Sequence, residues 1–337
     1  MFQGQGNPTI PRANERPSRP TTAAAPRPLI SFVVISTLAI FVFGQLTAFA
    51  WGNKGHEEIN LVAAKKIPQS MPAFLRTATA VEHIAYLGPE PDRWRGVSEH
   101  ALNNAQAPDH FIDLERVSNL GDLPPDRYEF YKMLYAKRAT THENPDQFLP
   151  ENVGLQPYIT MEVYERLVIA FRQYRDMKER SKDADALKQN AIFYAGWLGH
   201  YVADGSQPLH TTINYDGWVE ANPRGFTAQK GIHWRFETDF VNRNISAGDF
   251  AALVSAPLQL TDPFHDYVKY LWTSHYYVPQ VYKIDKAGGF DGAGTPEALK
   301  FTEQRMAAGA QMLLDLWYTA WLQSAQPEPE PAGRTAK

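Results

Sequence analysis

Two histidine–carboxylate pairs and a histidine just beyond a proline carry the chemistry that this sequence can do. In GWLGHYVADGSQPLHTTINYDG, residues 196–217, His200 and Asp204 stand four apart. On a helix they project from one face, where their ligand atoms can meet one cation. Pro208 ends that helix, and His210 follows the break, so the turn can aim it at a second ion near the first. Downstream, GIHWRFETDFV repeats the spacing with His233 and Glu237. The chain has no cysteine, which excludes thiolate zinc fingers, disulfide scaffolds and a cysteine nucleophile. Any metal is held by nitrogen and oxygen.

Taken singly, a His-x-x-x-Asp or His-x-x-x-Glu pair is more often a surface pair or a satisfied core histidine. The flanking Trp197, Tyr201, Trp234 and Phe236 recur at helical spacing and read as packing. His83, His100, His142, His265 and His275 lack a carboxylate partner in a motif and read as structural or exposed. The conjunction of the pairs is what points to metal.

The elements that must position these residues are helical. Apolar residues recur every three or four positions over 55–67, 70–84, 126–139, 158–181, 185–204, 229–245, 262–277 and 296–323. Alternating strand-like runs are hard to find, so the fold class is all-α: one multi-helix domain over 51–325. At 44% hydrophobic and 21% charged, the chain has material for a sizeable core. With 33 basic against 37 acidic side chains its net charge is −4, so an anionic substrate must be held locally rather than by a global field.

Residues 1–50 read as a leader and signal peptide. Arg12, Arg16, Arg19 and Arg27 precede the uncharged run LISFVVISTLAIFVFGQL, and Ala48-Phe49-Ala50 supplies the small-x-small cleavage pattern. The expectation is a secreted or periplasmic protein cut after Ala50. The alternative is a membrane anchor over residues 29–50, since the apolar run is near spanning length. The tail 326–337, rich in Pro and Glu, is expected to be disordered.

HYVADGSQPLH resembles the H-x-x-x-D-x-x-x-x-x-H signature of a zinc hydrolase superfamily that includes bacterial zinc-dependent phospholipase C and the fungal and plant single-strand-preferring nucleases. Trp51-Gly52 followed by His56 is similar to the nuclease start, in which the mature chain begins with a Trp whose amino group binds zinc. Asp92 in PEPDRWR, with Arg95 three residues on, and His110 in APDHFIDLE match further parts of the pattern in order. The resemblance covers roughly Trp51 to Val241.

It implies three zinc ions in a trinuclear cleft. One would take Asp92, His110, His200 and Asp204; a second the Trp51 amino nitrogen and carbonyl, His56 and the shared Asp204; the third His210, His233 and Glu237. A carboxylate bridging two dications holds them about 3.5–4 Å apart and acidifies a bridging water, so that a metal-bridging hydroxide is the nucleophile at neutral pH. Asp92, Arg95 and Asp204 would be catalytic, with Arg95 and the third zinc neutralising charge on the phosphoryl group.

The 23 positions from His210 to His233 also look like the nucleases. Yet their Gly-Gly-Asn motif is absent, and Glu237, where they usually place Asp, looks like the phospholipases. The expected activity is phosphodiester hydrolysis, with single-stranded nucleic acid favoured over phospholipid as substrate. Trp94, Tyr215 and Trp218 are candidate base platforms, and Lys54 a candidate anion contact. A zinc-binding helical protein without turnover is the third reading. No obligate protein partner is implied, and a transient membrane contact fits the phospholipase alternative.

Overall fold

The computed structural model describes residues 51–95, 97–179 and 184–327. The expected leader, its cleavage site, the 29–50 anchor and nearly all of the tail therefore lie outside the described residues. Among the described residues all helices and turns build one helical domain, and the β contact is an isolated bridge between Tyr215 and Gly217. None of these helices is long and apolar enough to cross a membrane.

The longer helices are α1 (Gly52–Lys65), α2 (Ala78–Tyr86), α3 (Arg127–Thr140), α4 (Gln156–Glu179), α5 (Asp185–Ser206), α6 (Pro263–Tyr276), α7 (Val278–Lys286) and α8 (Pro296–Gln323). Most coincide with the periodic segments of the sequence. The predicted 70–84 segment instead divides into a 3₁₀ turn at Ala73–Arg76 and α2, because Thr77 caps α2 by accepting from the Ala80 N–H at 3.2 Å. The predicted 229–245 segment changes pitch: Ile232–Trp234 is α-helical, Arg235–Phe240 π-helical and Val241–Asn244 α-helical again. Helix α7 was not anticipated. It begins with Pro279 in its first turn, where a missing N–H costs nothing.

Helix α5 is the axis of the fold, with α1, α2, α4, α6 and α8 packed on it. From Leu198 to Ser206 every residue is buried, as a helix surrounded on all sides must be. Its approach to α1 is set by Asn60. The Asn60 amide donates to the carbonyls of Ile84, at 2.9 Å, and Gly196, at 3.0 Å, tying α1, α2 and α5 together. A Cβ on Gly199 would stand 1.9 Å from Asn60 Oδ1, so glycine is what permits this crossing. One turn before Asn60 on α1 is His56, and one residue after Gly199 is His200. The two rings stack with centroids 4.2 Å apart.

Trp51 anchors the start of α1 from a left-handed conformation. It is fully buried, and its indole N–H is shared between Ala203 O (2.8 Å) and Ser206 Oγ (2.9 Å), on the turn of α5 that carries Asp204.

Candidate metal centre

Short turns present most of the remaining chemistry. Asp92 lies in the 3₁₀ turn Pro91–Trp94, where three residues complete a turn, so Arg95 returns to the same side. Arg95 Nη1 stands 3.5 Å from Asp92 Oδ1. His110 closes the turn Ala107–His110, and His210 sits in Pro208–Thr211, directly after α5 ends. Glu237 projects from the π-helical turn, one turn beyond His233.

These histidines and carboxylates converge in three groups, each with its ligand atoms within 4.8 Å of one another: His56, His200 and Asp204; Asp92, His110 and His200, which shares His200 with the first; and His210, His233 and Glu237. All are buried. Asp204 Oδ1 faces His56 Nε2 at 3.4 Å, while Oδ2 faces His110 Nδ1 at 3.2 Å and His200 Nε2 at 3.4 Å. Asp92 stands 3.8 Å from both His56 and His110. In the third group Glu237 Oε2 is 2.8 Å from His233 Nε2 and 3.7 Å from that of His210.

Hydrogen bonds on the far sides of the rings fix which nitrogens point inward. His200 Nδ1–H donates to Gly88 O at 2.9 Å, and His210 Nδ1–H to His110 O at 2.6 Å. His110 Nε2–H donates to Gln106 Oε1 at 2.8 Å. The inward nitrogens of His200 and His110 are therefore both lone pairs, facing each other at 3.0 Å. Two converging lone pairs repel unless a cation lies between them and the carboxylates. Apart from the Arg95 ion pair at 3.5 Å, nothing among the described residues satisfies the buried oxygens of Asp92, and no hydrogen bond reaches Asp204 Oδ1 or Glu237 Oε1, which leaves lone pairs for a cation. The residues fit a metal centre.

The electrostatics agree. Burial, reinforced by neighbouring imidazoles and Arg95, holds His110 and His200 well below the ordinary imidazole range, and burial lowers His210 too. Neutral imidazole is the ligating form. Burial pushes Asp92 and Asp204 up, each carboxylate opposing its acidic neighbours. Burial also opposes the charge on Glu237, but His233 and His210 override it and hold that acid below its usual range. A dication would supply the countercharge that burial withholds from the aspartates.

A cleft of about 460 Å³ opens on one side of the groups, reaching His110, His210 and His233. Arg95 and Tyr215 line it, and Tyr215 is 52% exposed with its ring 6.1 Å from that of His233. The other proposed substrate contacts are elsewhere. Trp94, two residues after Asp92 in a 3₁₀ turn, points away, with its ring on Trp197 and its N–H on Glu90. Trp218 packs on Phe226 and Tyr282 against the core. Lys54 Nζ donates to Asn242 O at 3.0 Å, tying α1 to the Val241–Asn244 turn.

Phe111, Leu209, Arg116, Asn144 and Asn152 also line the cleft and were not singled out from sequence. Phe111 and Leu209 adjoin ligand-type histidines, which is a usable signal. The others arrive because residues 153–156 bond to 108–113, through Asp113 N to Val153 O (2.7 Å) and Leu155 N to Pro108 O (2.7 Å). Arg116 is held within the cleft wall by Asp113 Oδ2 and Gln147 Oε1, each at 2.9 Å.

The chain matches no protein-family model and no curated protein. Among solved structures, alpha-toxin of Clostridium perfringens, from an avian strain, is similar with a TM-score of 0.36 and 14% identity, covering 81% of this chain and 63% of the toxin chain.

Proposed function

We propose that this protein is a zinc-dependent phosphodiester hydrolase acting on single-stranded nucleic acid. The observation that carries the metal reading is the pair of imidazole lone pairs facing each other at 3.0 Å, beside buried oxygens of Asp92 and Asp204 that accept no hydrogen bond. Nitrogen and oxygen donors in compact sets of three suit zinc. Bound zinc would act as a Lewis acid toward a phosphoryl oxygen and acidify a water toward neutral pKa.

The chain supplies the rest. Asp204, with Oδ1 toward His56 and Oδ2 toward His110, would serve both of the first two groups. Arg95, paired with Asp92 at the cleft wall, would take a phosphoryl oxygen and neutralise its charge. Burial of the ligands keeps bulk water from competing for them.

Nucleic acid is favoured because the cleft walls beyond the histidines are polar, carrying Arg95, Arg116 and side-chain amides interspersed with the carboxylates of Asp113, Asp146 and Glu151, with Phe111 and Tyr215 as rings, rather than a continuous apolar trough for acyl chains. Single strands suit a recessed cluster, since a base can swing onto a ring while its phosphate reaches inward. Glu237, which resembles the phospholipase pattern, supports phospholipid as the second reading. A zinc-binding protein without turnover is disfavoured by the cleft that leads to the ligands. Export with cleavage after Ala50 belongs to the same proposal, since it frees the Trp51 amine as a ligand.

The test is one assay of the zinc-replete exported protein on single-stranded DNA, RNA, duplex DNA and phosphatidylcholine side by side. Faster release of nucleotides from single strands than from duplex is expected. Hydrolysis of phosphatidylcholine with no nucleotide release overturns the nucleic-acid reading.

A further inference from the structure

Of the inward-facing histidines whose outer hydrogen bond is defined, His110 is oriented by a side chain. His200 and His210 each donate Nδ1–H to a backbone carbonyl, of Gly88 and of His110, and present Nε2. His110 presents the opposite nitrogen: its Nε2 meets Gln106 Oε1 at 2.8 Å and its Nδ1 faces Asp204 and His200. Gln106 ends the short helix His100–Gln106, one turn before His110, and is buried. Its Nε2 is buried without an acceptor, a cost the fold accepts while the amide oxygen is aimed at the ring.

We propose that Gln106 is the positioning residue that selects the His110 tautomer and thereby makes Nδ1 a metal-ligating nitrogen. This rests on the zinc-centre reading. Without an acceptor at Gln106, the His110 proton is free to move to Nδ1. There it would donate to Asp204 Oδ2, 3.2 Å away. That hydrogen bond would satisfy both partners in the metal-free protein and would have to be broken for an ion to enter. Gln106 denies the site this internal competitor, so its effect is on metal affinity before it is on turnover.

The experiment has two readouts on the full chain. Zinc affinity is measured by competition with a chromogenic chelator for wild type, Gln106→Leu and Gln106→Glu. Gln106→Leu should bind zinc about 10–100-fold more weakly at the affected site, and Gln106→Glu, which keeps the acceptor, should return most of that loss. Histidine-specific ¹⁵N NMR of the wild-type protein reads the tautomer directly, and does not depend on any variant folding. His110 should be the Nε2–H tautomer, opposite to His200 and His210. A His110 Nδ1–H tautomer, or full-strength zinc binding by Gln106→Leu, overturns the proposal and leaves the zinc centre standing. A wild-type protein that binds no zinc overturns the centre itself, and the proposal with it.

Discussion

Asp204 turns its oxygens to different rings, Oδ1 to His56 and Oδ2 to His110 and His200, so its loss strikes the first two groups at once. Glu237 pairs with His210 and His233, and also accepts from Gln207 Nε2 at 3.3 Å. Asp204→Ala should therefore lower zinc content by about two ions and cut kcat by at least about a hundredfold, whereas Glu237→Ala should remove about one. Metal analysis of both purified variants checks this. In the cleft, Tyr215→Ala should raise KM more than it lowers kcat on single strands, because the ring faces the cleft and is not a ligand. Steady-state kinetics separate the two. Trp218→Ala should instead lower stability, since that ring is packed against the core. The metal-type residues were legible because helical spacing brings positions four apart onto one face. Asn144 and Asn152 were not, because a backbone contact between distant segments puts them in the cleft, and no local pattern encodes it.

The crossing of α1 and α5 is where element packing meets the site. Gly199→Ala would drive a methyl into Asn60 Oδ1, and Asn60 has little room to retreat because its amide already binds the carbonyls of Ile84 and Gly196. A loss of about 1–3 kcal/mol is expected, read as a lower urea midpoint. Zinc affinity should fall too, since parting the helices separates His56 from His200. Periodicity in the sequence was enough for the long helices. It does not show the 3₁₀ and π turns that carry Asp92, His110, His210 and Glu237, because such turns come from proline placement and tertiary packing rather than from a repeated apolar face. The same limit hid α7, whose early proline reads as a break until its position in the first turn is known.

Across the whole molecule, folding brings ligand-type groups from His56 to Glu237 together in buried sets, and oxygens of Asp92, Asp204 and Glu237 there accept no hydrogen bond. Metal binding and fold stability are therefore linked: an ion that binds only the folded state adds about 2.7 kcal/mol at a hundred times its Kd. If the Trp51 amine completes the centre, a chain retaining a methionine ahead of Trp51 should hold about one zinc fewer than a chain processed to Trp51, by metal analysis of the two forms. The central claim, that these buried groups form a trinuclear zinc centre, is tested most directly by elemental analysis of the zinc-replete protein joined to its thermal unfolding with and without a strong chelator. About three zinc per chain, with Tm falling by at least about 5 °C on chelation, is the predicted result. One zinc or none, with a Tm indifferent to the chelator, would contradict it.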